Sequence, residues 1–450
     1  MRDKNTLNMI EGSLAPKILL FALPLMLSSI LQLLFNAVDI IVVGKFAGDA
    51  SLAAVSSTGS LVNLMVSLFI GLSVGTNVIT AKYLGAHQED KVENVVHTSI
   101  AIGVYFGAIM GVICSLLAKK FLILMDSPLD VIDLSALYLG IYFLGTPGNL
   151  VYNYGSALLR SKGDTKRPLY YLLVAGIVNL LLNLFTVIVL GMDVAGVAIA
   201  TIASQYISAF LVVMALVKDE GALHLNIKGL RIEKESFIEI IKVGLPCGLQ
   251  SCLFSFSNAL IQSSINSFGK EVMAGNGAAS SIENFVYVSM NAFYQANQTF
   301  VGQNLGARKY ERIVKSNIIS LIYVTVVGLL LGYGVYYLAG DLLYIYTDSP
   351  SVVAAGISRM AIICKTYYLC GIMDVLCGGL RGVGYSLIPM ISSLVGACGL
   401  RIIWIAYIFK AFPTTDTIYY SYPLSWIIVI IAHLFTFLAI KGKIQKQCVL

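Results

Sequence analysis

A carboxylate lies inside the first long apolar run of the chain. Asp39 shares one face of a predicted helix with Gln32 and Asn36, because the three residues are spaced at i, i+4 and i+7. An ionisable side chain in a membrane span is costly and usually has a functional role. A carboxylate with amide oxygens around it can bind a hard cation such as Na+, or a proton if it is poorly solvated. Asp39 is therefore the first candidate for reversible binding of Na+ or H+.

Polar residues on two later helices are expected at the depth of Asp39. With a rise of about 1.5 Å per residue, Asp39 lies roughly 6 Å from the end of its predicted span, and Asn183 and Thr201 lie roughly 10 Å from the corresponding ends of theirs. Asn179 precedes Asn183 by one helical turn and shares its face. We expect these four residues to form a coupling site, supported by the other polar residues on the Asp39 face. The alternative is a buried carboxylate that only caps a local hydrogen-bond network.

The later spans carry further polar stripes. A helix this polar inside a bilayer must face either a partner helix or a wet cavity. We therefore expect a large amphipathic substrate cavity, with hydrogen bonds between helices as an equally open interpretation for each residue. The candidates to line the cavity are Asn258, Gln262, Glu283, Asn284, Tyr287, Asn291, Tyr367, Met373 and Asp374. Arg401 also lies within a predicted span, and its expected salt-bridge partner is an acidic neighbour such as Asp374.

The elements that must position these residues are membrane spans. The chain has 450 residues, of which 58% are apolar and 12% are charged, whereas a soluble protein is about 25% charged. Since a membrane helix takes about 20 mostly apolar residues, the apolar content supplies roughly twelve spans. The predicted spans are residues 17–43, 52–79, 95–118, 132–158, 168–190, 194–217, 240–268, 276–301, 316–339, 357–380, 387–409 and 418–440.

The distribution of Lys and Arg predicts which ends of the spans face the cytoplasm. If the N-terminus is cytoplasmic, most Lys and Arg residues outside the spans lie on the inner side, as the positive-inside rule requires. The longest interruption, residues 218–242, is basic and is expected to be a cytoplasmic linker between two halves. An even number of spans then places both termini in the cytoplasm, and we expect a multi-pass protein of the plasma membrane.

The second half of the sequence repeats the first. Matched residues in one register include Leu23 with Leu245, Asn36 with Asn258, Leu159 with Leu380 and Pro168 with Pro389. The same register places Ile261 opposite Asp39 and Arg401 opposite Asn179, so ion coupling is predicted for the first half only.

The repeat predicts the fold class. We expect an all-α polytopic membrane protein with twelve transmembrane helices in two six-helix lobes, residues 1–225 and 226–450, related by a parallel internal repeat. Transporters commonly place their substrate sites in such repeats near the middle of the membrane. A structural duplication without transport is the alternative.

Several classes of protein are disfavoured by what the sequence lacks. It has no G-x-x-x-x-G-K-[ST] loop for nucleotide phosphates and no Ser/His/Asp or metal-binding constellation in its loops, so we expect no enzymatic activity. The net charge of +6 is spread over short loops, which disfavours a nucleic-acid partner. We expect no cofactor, small organic molecules as substrates, an ion gradient of H+ or Na+ as the energy source, and a monomer in the lipid bilayer.

The chain resembles the multidrug and toxic compound extrusion (MATE) transporters over essentially its whole length. The segments that carry the resemblance are Leu23-Pro24, Asn36 to Asp39, Leu84 to Ala86, Leu159 to Gly163, Leu380 to Gly384 and Ser425-Trp426. The resemblance implies export of mostly cationic, amphipathic organic compounds by antiport with H+ or Na+, with alternating access between two lobes. A flippase for lipid-linked saccharides shares this general architecture and is the alternative, but it would need a more cationic cavity than Arg401 and Lys365 supply.

The resemblance also implies roles for particular residues. In the branch of the family that this chain resembles most, the cation site would comprise Asp39, Asn179, residue 183 and Thr201. Residue 183 is Asn here, where that branch has Asp. One carboxylate in place of two lowers the charge of the site and favours H+ over Na+. Another branch places a coupling glutamate where this chain has Phe254, so that mode of coupling is not expected.

Overall fold

The computed structural model describes residues 6–125, 127 and 130–449, and the regular structure in these ranges is helical throughout. The chain divides into two compact units, the first comprising Met1–Leu7 and Leu27–Leu245 and the second comprising Asn8–Met26 and Pro246–Leu450. Of the three limits between the units, those at Met26–Leu27 and Leu245–Pro246 fall inside helices that contain a proline, Pro24 in the first and Pro246 in the second. Assignment of residues 1–225 and 226–450 to two functional lobes stays a prediction.

In its described residues, unit 1 contains the greater part of the first helix, six further complete α-helices and the beginning of an eighth. The first seven helices are α1 (Leu14–Val42), α2 (Gly48–Gly85), α3 (Glu89–Leu124), α4 (Ile132–Leu144), α5 (Thr146–Lys162), α6 (Lys166–Leu184) and α7 (Asp193–Val217). Two π-helical segments, Val43–Ala47 and Phe185–Val189, extend α1 and α6. A short 3-10 helix, Ile227–Gly229, follows α7 in the linker.

In its described residues, unit 2 contains the beginning of α1, the greater part of α8 (Lys234–Asn266) and seven complete α-helices. The complete helices are α9 (Lys270–Gly306), α10 (Tyr310–Tyr337), α11 (Ala339–Tyr344), α12 (Pro350–Gly382), α13 (Leu387–Ser393), α14 (Leu400–Ile403) and α15 (Thr415–Val449). The π-helical segments Leu394–Gly399 and Trp404–Phe409 lie on either side of α14, so residues 387–409 form one continuous helical span.

Among the described residues, ten helical spans are long and apolar enough to cross a membrane, and α4 with α5 forms an eleventh that is bent by 45°. Residues 132–158, predicted as one helix, are therefore broken at Gly145. Pro147 explains the break, because it cannot donate the hydrogen bond that would continue the helix to the Phe143 carbonyl. Helix α9 is 37 residues long and is not among these apolar spans. Counted as a span, it completes the predicted twelve transmembrane helices.

The core of unit 1 is built around α5. Tyr154 and Leu158 are fully buried there, in one apolar cluster with Val95 from α3 and Val212 from α7. Gly155 allows this close approach, because a Cβ atom at that position would lie 2.0 Å from Val212. This packing fixes α7, which in turn packs against α6 and its polar residues.

Candidate functional site

Asp39 and the two asparagines of α6 form a hydrogen-bonded cluster in unit 1. The Asn183 side-chain amide donates to Asp39 Oδ1 at 2.5 Å and to Asn179 Oδ1 at 3.2 Å. Asn183 is fully buried, and Asn179 is 6% exposed. Three of the four residues expected at the coupling site are thus brought together by direct contacts between α1 and α6.

Close approach of α1 and α6 makes this contact possible. Gly176, two turns before Asn183, faces Phe35, and a Cβ atom added there would lie 2.0 Å from the Phe35 ring. Both helices then change to π-helical geometry just past the polar residues, at Val43–Ala47 and Phe185–Val189. Short π-helical insertions occur frequently at functional sites because they re-aim side chains and leave backbone groups less tightly bonded.

Two tyrosines on α4 belong to the surroundings of Asp39 and were missed by reasoning from the sequence. Tyr138 and Tyr142 are stacked with their ring centroids 6.1 Å apart. They share an apolar cluster with Val38 and Val42, which flank Asp39 on α1. The sequence pattern that could have identified them is their spacing of one helical turn in a predicted span. Such aromatic pairs are also common in helices that have no functional site.

The other expected members of the site are placed differently. The Thr201 hydroxyl donates to the Val197 carbonyl of its own helix at 2.9 Å. Gln32 and Asn36 lie on exposed parts of α1. The cluster joined by side-chain hydrogen bonds is therefore Asp39, Asn179 and Asn183.

The charge of Asp39 is the main electrostatic feature of this cluster. In the described part of the chain, no Lys or Arg forms a salt bridge with its carboxylate, which accepts a hydrogen bond from the neutral amide of Asn183. The Asn183 Oδ1 atom is buried and accepts no hydrogen bond from the described residues. The described residues also hold no group of three or more His, Cys, Asp or Glu side chains suited to a metal ion. A carboxylate oxygen and a free amide oxygen are therefore available to a proton or to a hard monovalent cation.

Unit 2 contains a second carboxylate cluster, but this one holds its own cation. Arg359 donates from Nε to Glu283 Oε1 at 3.0 Å and from Nη2 to Oε2 at 2.7 Å, and both side chains are buried. Arg359 Nη1 donates to Asn276 Oδ1 at 2.7 Å, and the Asn276 amide donates to Gln262 Oε1 at 2.7 Å. Arg359 lies near the start of the predicted span 357–380, and in the structure it is buried inside α12 and neutralises Glu283.

The aromatic candidates for a substrate cavity form a stacked row in unit 2. The Tyr287 and Tyr367 rings are 6.5 Å apart, and Tyr367 stacks on Trp426 at 5.6 Å. Met373 is 4% exposed and packs in the same apolar cluster. Asp374 is partly buried on the same helix as Tyr367.

The remaining cavity candidates are more open to their surroundings. Asn258 and Asn284 are exposed, and Asn291, which is partly buried, accepts a hydrogen bond from Gln295 at 2.9 Å. Of these three residues, Asn258 alone contacts a buried charged side chain, that of Arg401.

The expected salt bridge between Arg401 and Asp374 is not present among the described residues. Arg401 Nε donates to Ser425 Oγ at 3.0 Å, and Nη1 donates to Asn258 Oδ1 at 3.3 Å. The guanidinium also lies over the Tyr422 ring, 4.2 Å from its centroid. Helix α14 directs Arg401 toward α8 and α15, and neutral partners there take the place of the acid that was predicted.

Comparison with known families agrees with this arrangement of two related halves. A family model described as MatE matches residues 24–185 and 246–408. The chain belongs to the MatE family. The two matched segments begin at Pro24 and Pro246, which are paired in the internal repeat, so the family model matches each half at corresponding positions.

Similar proteins come from distant bacteria. "Probable multidrug resistance protein YoeA" from Bacillus subtilis is 26% identical over 393 residues, covering 85% of this chain and 84% of YoeA. "Probable multidrug resistance protein NorM" from Thermotoga maritima is 26% identical over 450 residues, covering 95% of this chain and 93% of NorM. This MatE chain is thus similar to both relatives over most of their length.

Solved structures share the fold of this MatE chain. A multidrug resistance MATE transporter in an outward-facing conformation superimposes with a TM-score of 0.89 at 21% identity, over 99% of both chains. A variant of the Vibrio cholerae MATE transporter VcmN superimposes with a TM-score of 0.87 at 19% identity, over 94% of this chain and 97% of VcmN. These structures support the twelve-helix, two-repeat architecture.

Proposed function

We propose that this MatE protein is a secondary active transporter that exports organic, mostly cationic and amphipathic compounds in exchange for H+, with Asp39 as the residue that binds the coupling ion. Alternating access of the two lobes would carry out the export without any enzymatic step. Binding of H+ at Asp39 would favour release of the exported compound, and binding of the compound would favour loss of the proton. Family membership supports transport, and the Asp39 cluster supports ion coupling.

The environment of Asp39 is the observation that carries this proposal. Its carboxylate receives a hydrogen bond from Asn183 and forms no salt bridge with the described residues. An unpaired carboxylate in a membrane span is costly, so neutralising it with an ion strongly changes which conformation is favoured. The amide at residue 183 leaves a single carboxylate, which favours H+, while the oxygens of Asn179 and Asn183 would serve Na+ in the alternative mode.

We propose a plasma-membrane location with both termini in the cytoplasm. The concentration of Lys and Arg on one side of the predicted spans supports this orientation. The apolar composition of the helices supports the bilayer as the solvent of the protein.

Export of ethidium from vesicles that contain the purified protein tests the role of Asp39. Under an imposed pH gradient, Asp39→Asn should reduce the rate of export by about 5- to 150-fold, the range of ordinary coupling free energies. The matched control is Asp133→Asn, because Asp133 is 82% exposed and paired with Lys119 away from the cluster. Full gradient-driven export by Asp39→Asn would contradict the role of Asp39, and wild-type export that persists without H+ and Na+ gradients would contradict antiport.

The identity of residue 183 allows a test of the choice between H+ and Na+. Asn183→Asp adds a second carboxylate within contact distance of Asp39, which raises the negative charge available to a metal cation. We expect this variant to export about ten times faster in Na+ than in an equal concentration of K+. Replacing K+ with Na+ should leave the export rate of the wild type unchanged. Stimulation of the wild type by Na+ would assign Na+ as its coupling ion.

A further inference from the structure

A groove in unit 2 lies between α8 and residues 400–410. Its volume is about 320 Å³. The polar side chains that line it are Ser257, Ser263, Ser264, Arg401 and Lys410, and the apolar ones include Leu260, Ile402 and Ile405. Leu260 is 39% exposed and Ile402 is 45% exposed, so the apolar wall of the groove is open. The groove therefore combines two cations with hydroxyl donors and an accessible apolar wall.

Arg401 is buried in this groove without an acidic partner. It is 3% exposed, and its two hydrogen-bond acceptors, Ser425 and Asn258, are neutral. Among the residues that the structure describes, no carboxylate oxygen lies within salt-bridge distance of its guanidinium. Burying an unpaired cation in a membrane protein is unfavourable, and an anion that reached the groove would relieve this cost.

The groove is the counterpart of the Asp39 cluster in the second repeat. The internal repeat pairs Ile261 with Asp39 and Arg401 with Asn179, and both Ile261 and Arg401 line the groove. A carboxylate with amides in unit 1 is thus replaced by a guanidinium with hydroxyls in unit 2. The expected ligand changes accordingly from a cation to an anion.

We propose that this groove binds the oxyanion of an anionic amphiphile, a phosphate or carboxylate group attached to an apolar chain. A guanidinium is suited to two parallel hydrogen bonds with such a group, and the serine hydroxyls can donate further bonds. Lys410 contributes a second positive charge, and the wall formed by Leu260, Ile402 and Ile405 accommodates the chain. The source is either an anionic bilayer lipid or an anionic compound that the protein transports. Oxyanion binding does not rest on the proposed efflux function.

Binding of dodecyl phosphate to the full-length protein in a neutral detergent, measured by calorimetry, tests the proposal. Arg401→Gln should weaken binding about ten- to hundredfold, which corresponds to the loss of a hydrogen-bonded charged partner. Lys410→Gln should weaken it about two- to fivefold, because Lys410 is exposed to solvent. The control is Lys365→Gln, since Lys365 lies over the Tyr336 ring at 3.9 Å and does not line the groove.

Unchanged binding in Arg401→Gln, or equal weakening in Lys365→Gln, would overturn the proposal. Arg401→Lys keeps the charge and should retain intermediate affinity, which separates loss of the ligand from loss of the fold. If Arg401→Gln does not fold, Lys410→Gln and the groove-filling variant Ile405→Trp decide the question, and unchanged binding in both would also overturn it.

Two further measurements distinguish the sources of the oxyanion. Phosphatidylglycerol that remains bound to the wild type in native mass spectrometry but is lost from Arg401→Gln would identify a bilayer lipid. Gradient-driven export of dodecyl phosphate by the wild type, and not by Arg401→Gln, would identify a transported compound. Either result supports the groove as an oxyanion site. If neither a bound lipid nor export is observed and calorimetry also detects no binding, the proposal is refuted.

Discussion

The two units surround a carboxylate inside a membrane span with opposite kinds of partner. In unit 1, Asp39 is contacted by the amide of Asn183 and has no cationic partner among the described residues. In unit 2, Glu283 is held by Arg359 through several charge-assisted hydrogen bonds, with Asn276 bonded to the same guanidinium. One carboxylate is open to an exchangeable ion, whereas the other has a permanent cation on a neighbouring helix.

This difference indicates how duplicated halves can divide their roles. A carboxylate that must gain and lose an ion cannot keep a built-in cation, and its charge destabilises the membrane-embedded state when the ion is absent. A carboxylate with a fixed arginine partner joins helices permanently and cannot respond to an ion gradient. We therefore expect that breaking the Glu283–Arg359 pair in unit 2 lowers the stability of the protein. Removing the charge of Asp39 in unit 1 should instead lower transport.

The largest effect on stability is expected for Arg359→Gln. This change leaves Glu283 buried without its cation and should lower the free energy of unfolding by about 3–5 kcal/mol. Thermal unfolding in detergent, followed by circular dichroism, measures the loss. The double variant Glu283→Gln with Arg359→Gln should recover more than half of it, because two neutral amides replace an unpaired charge. A single variant as stable as the wild type would show that the ion pair does not hold unit 2 together.

A smaller effect is expected where α1 meets α6. Gly176→Ala places a methyl group against the Phe35 ring and should cost about 1–3 kcal/mol of stability while reducing export through displacement of Asp39 from Asn183. The matched control is Gly277→Ala in α9, where a Cβ atom meets nothing within 4 Å. This control should be neutral or stabilising by up to about 1 kcal/mol. Wild-type stability and export by Gly176→Ala would argue against a fixed α1–α6 contact.

The smallest effect on stability is expected for Asp39→Asn. Removing an unpaired charge while keeping the side-chain shape should change the free energy of unfolding by less than about 1 kcal/mol, or increase it, even though the rate of export falls. Glu283→Gln, measured in the same unfolding assay, should be clearly destabilising because it leaves Arg359 buried without its acid. Equal destabilisation by the two changes would remove the distinction between the units.

Sequence reasoning located the Asp39 cluster because helical geometry converts spacing into depth. The positions of Asp39 and Asn183 within apolar runs fix how far each lies from the end of its helix. Because each helical residue adds about 1.5 Å along the axis, a count of residues gives this depth directly. The internal repeat was equally accessible, since it needs only residue identities. Depth does not show which helices touch, so the contact of Asn183 with Asp39 and the placement of Thr201 against its own helix required the structure.

The partners of the buried arginines were beyond the reach of the sequence. Arg359 stands near the beginning of a predicted span, where an arginine can extend to the interface or remain buried, and the choice depends on Glu283 from another helix. Asp374 was predicted as the partner of Arg401 because it is an acidic residue in a nearby span. In the structure, the Arg401 guanidinium donates hydrogen bonds to Ser425 and Asn258 instead.

The sequence by itself determined that this protein is a twelve-span membrane protein with two repeats, and that an acid lies within its first span. Those properties follow from composition, helical periodicity and residue identity, which are local or additive. The tertiary structure decided which charged groups are neutralised and which are left open. That outcome depends on long side chains from separate helices meeting within about 3 Å, the range of a hydrogen bond. The spacing of residues along the sequence does not determine which of these side chains meet.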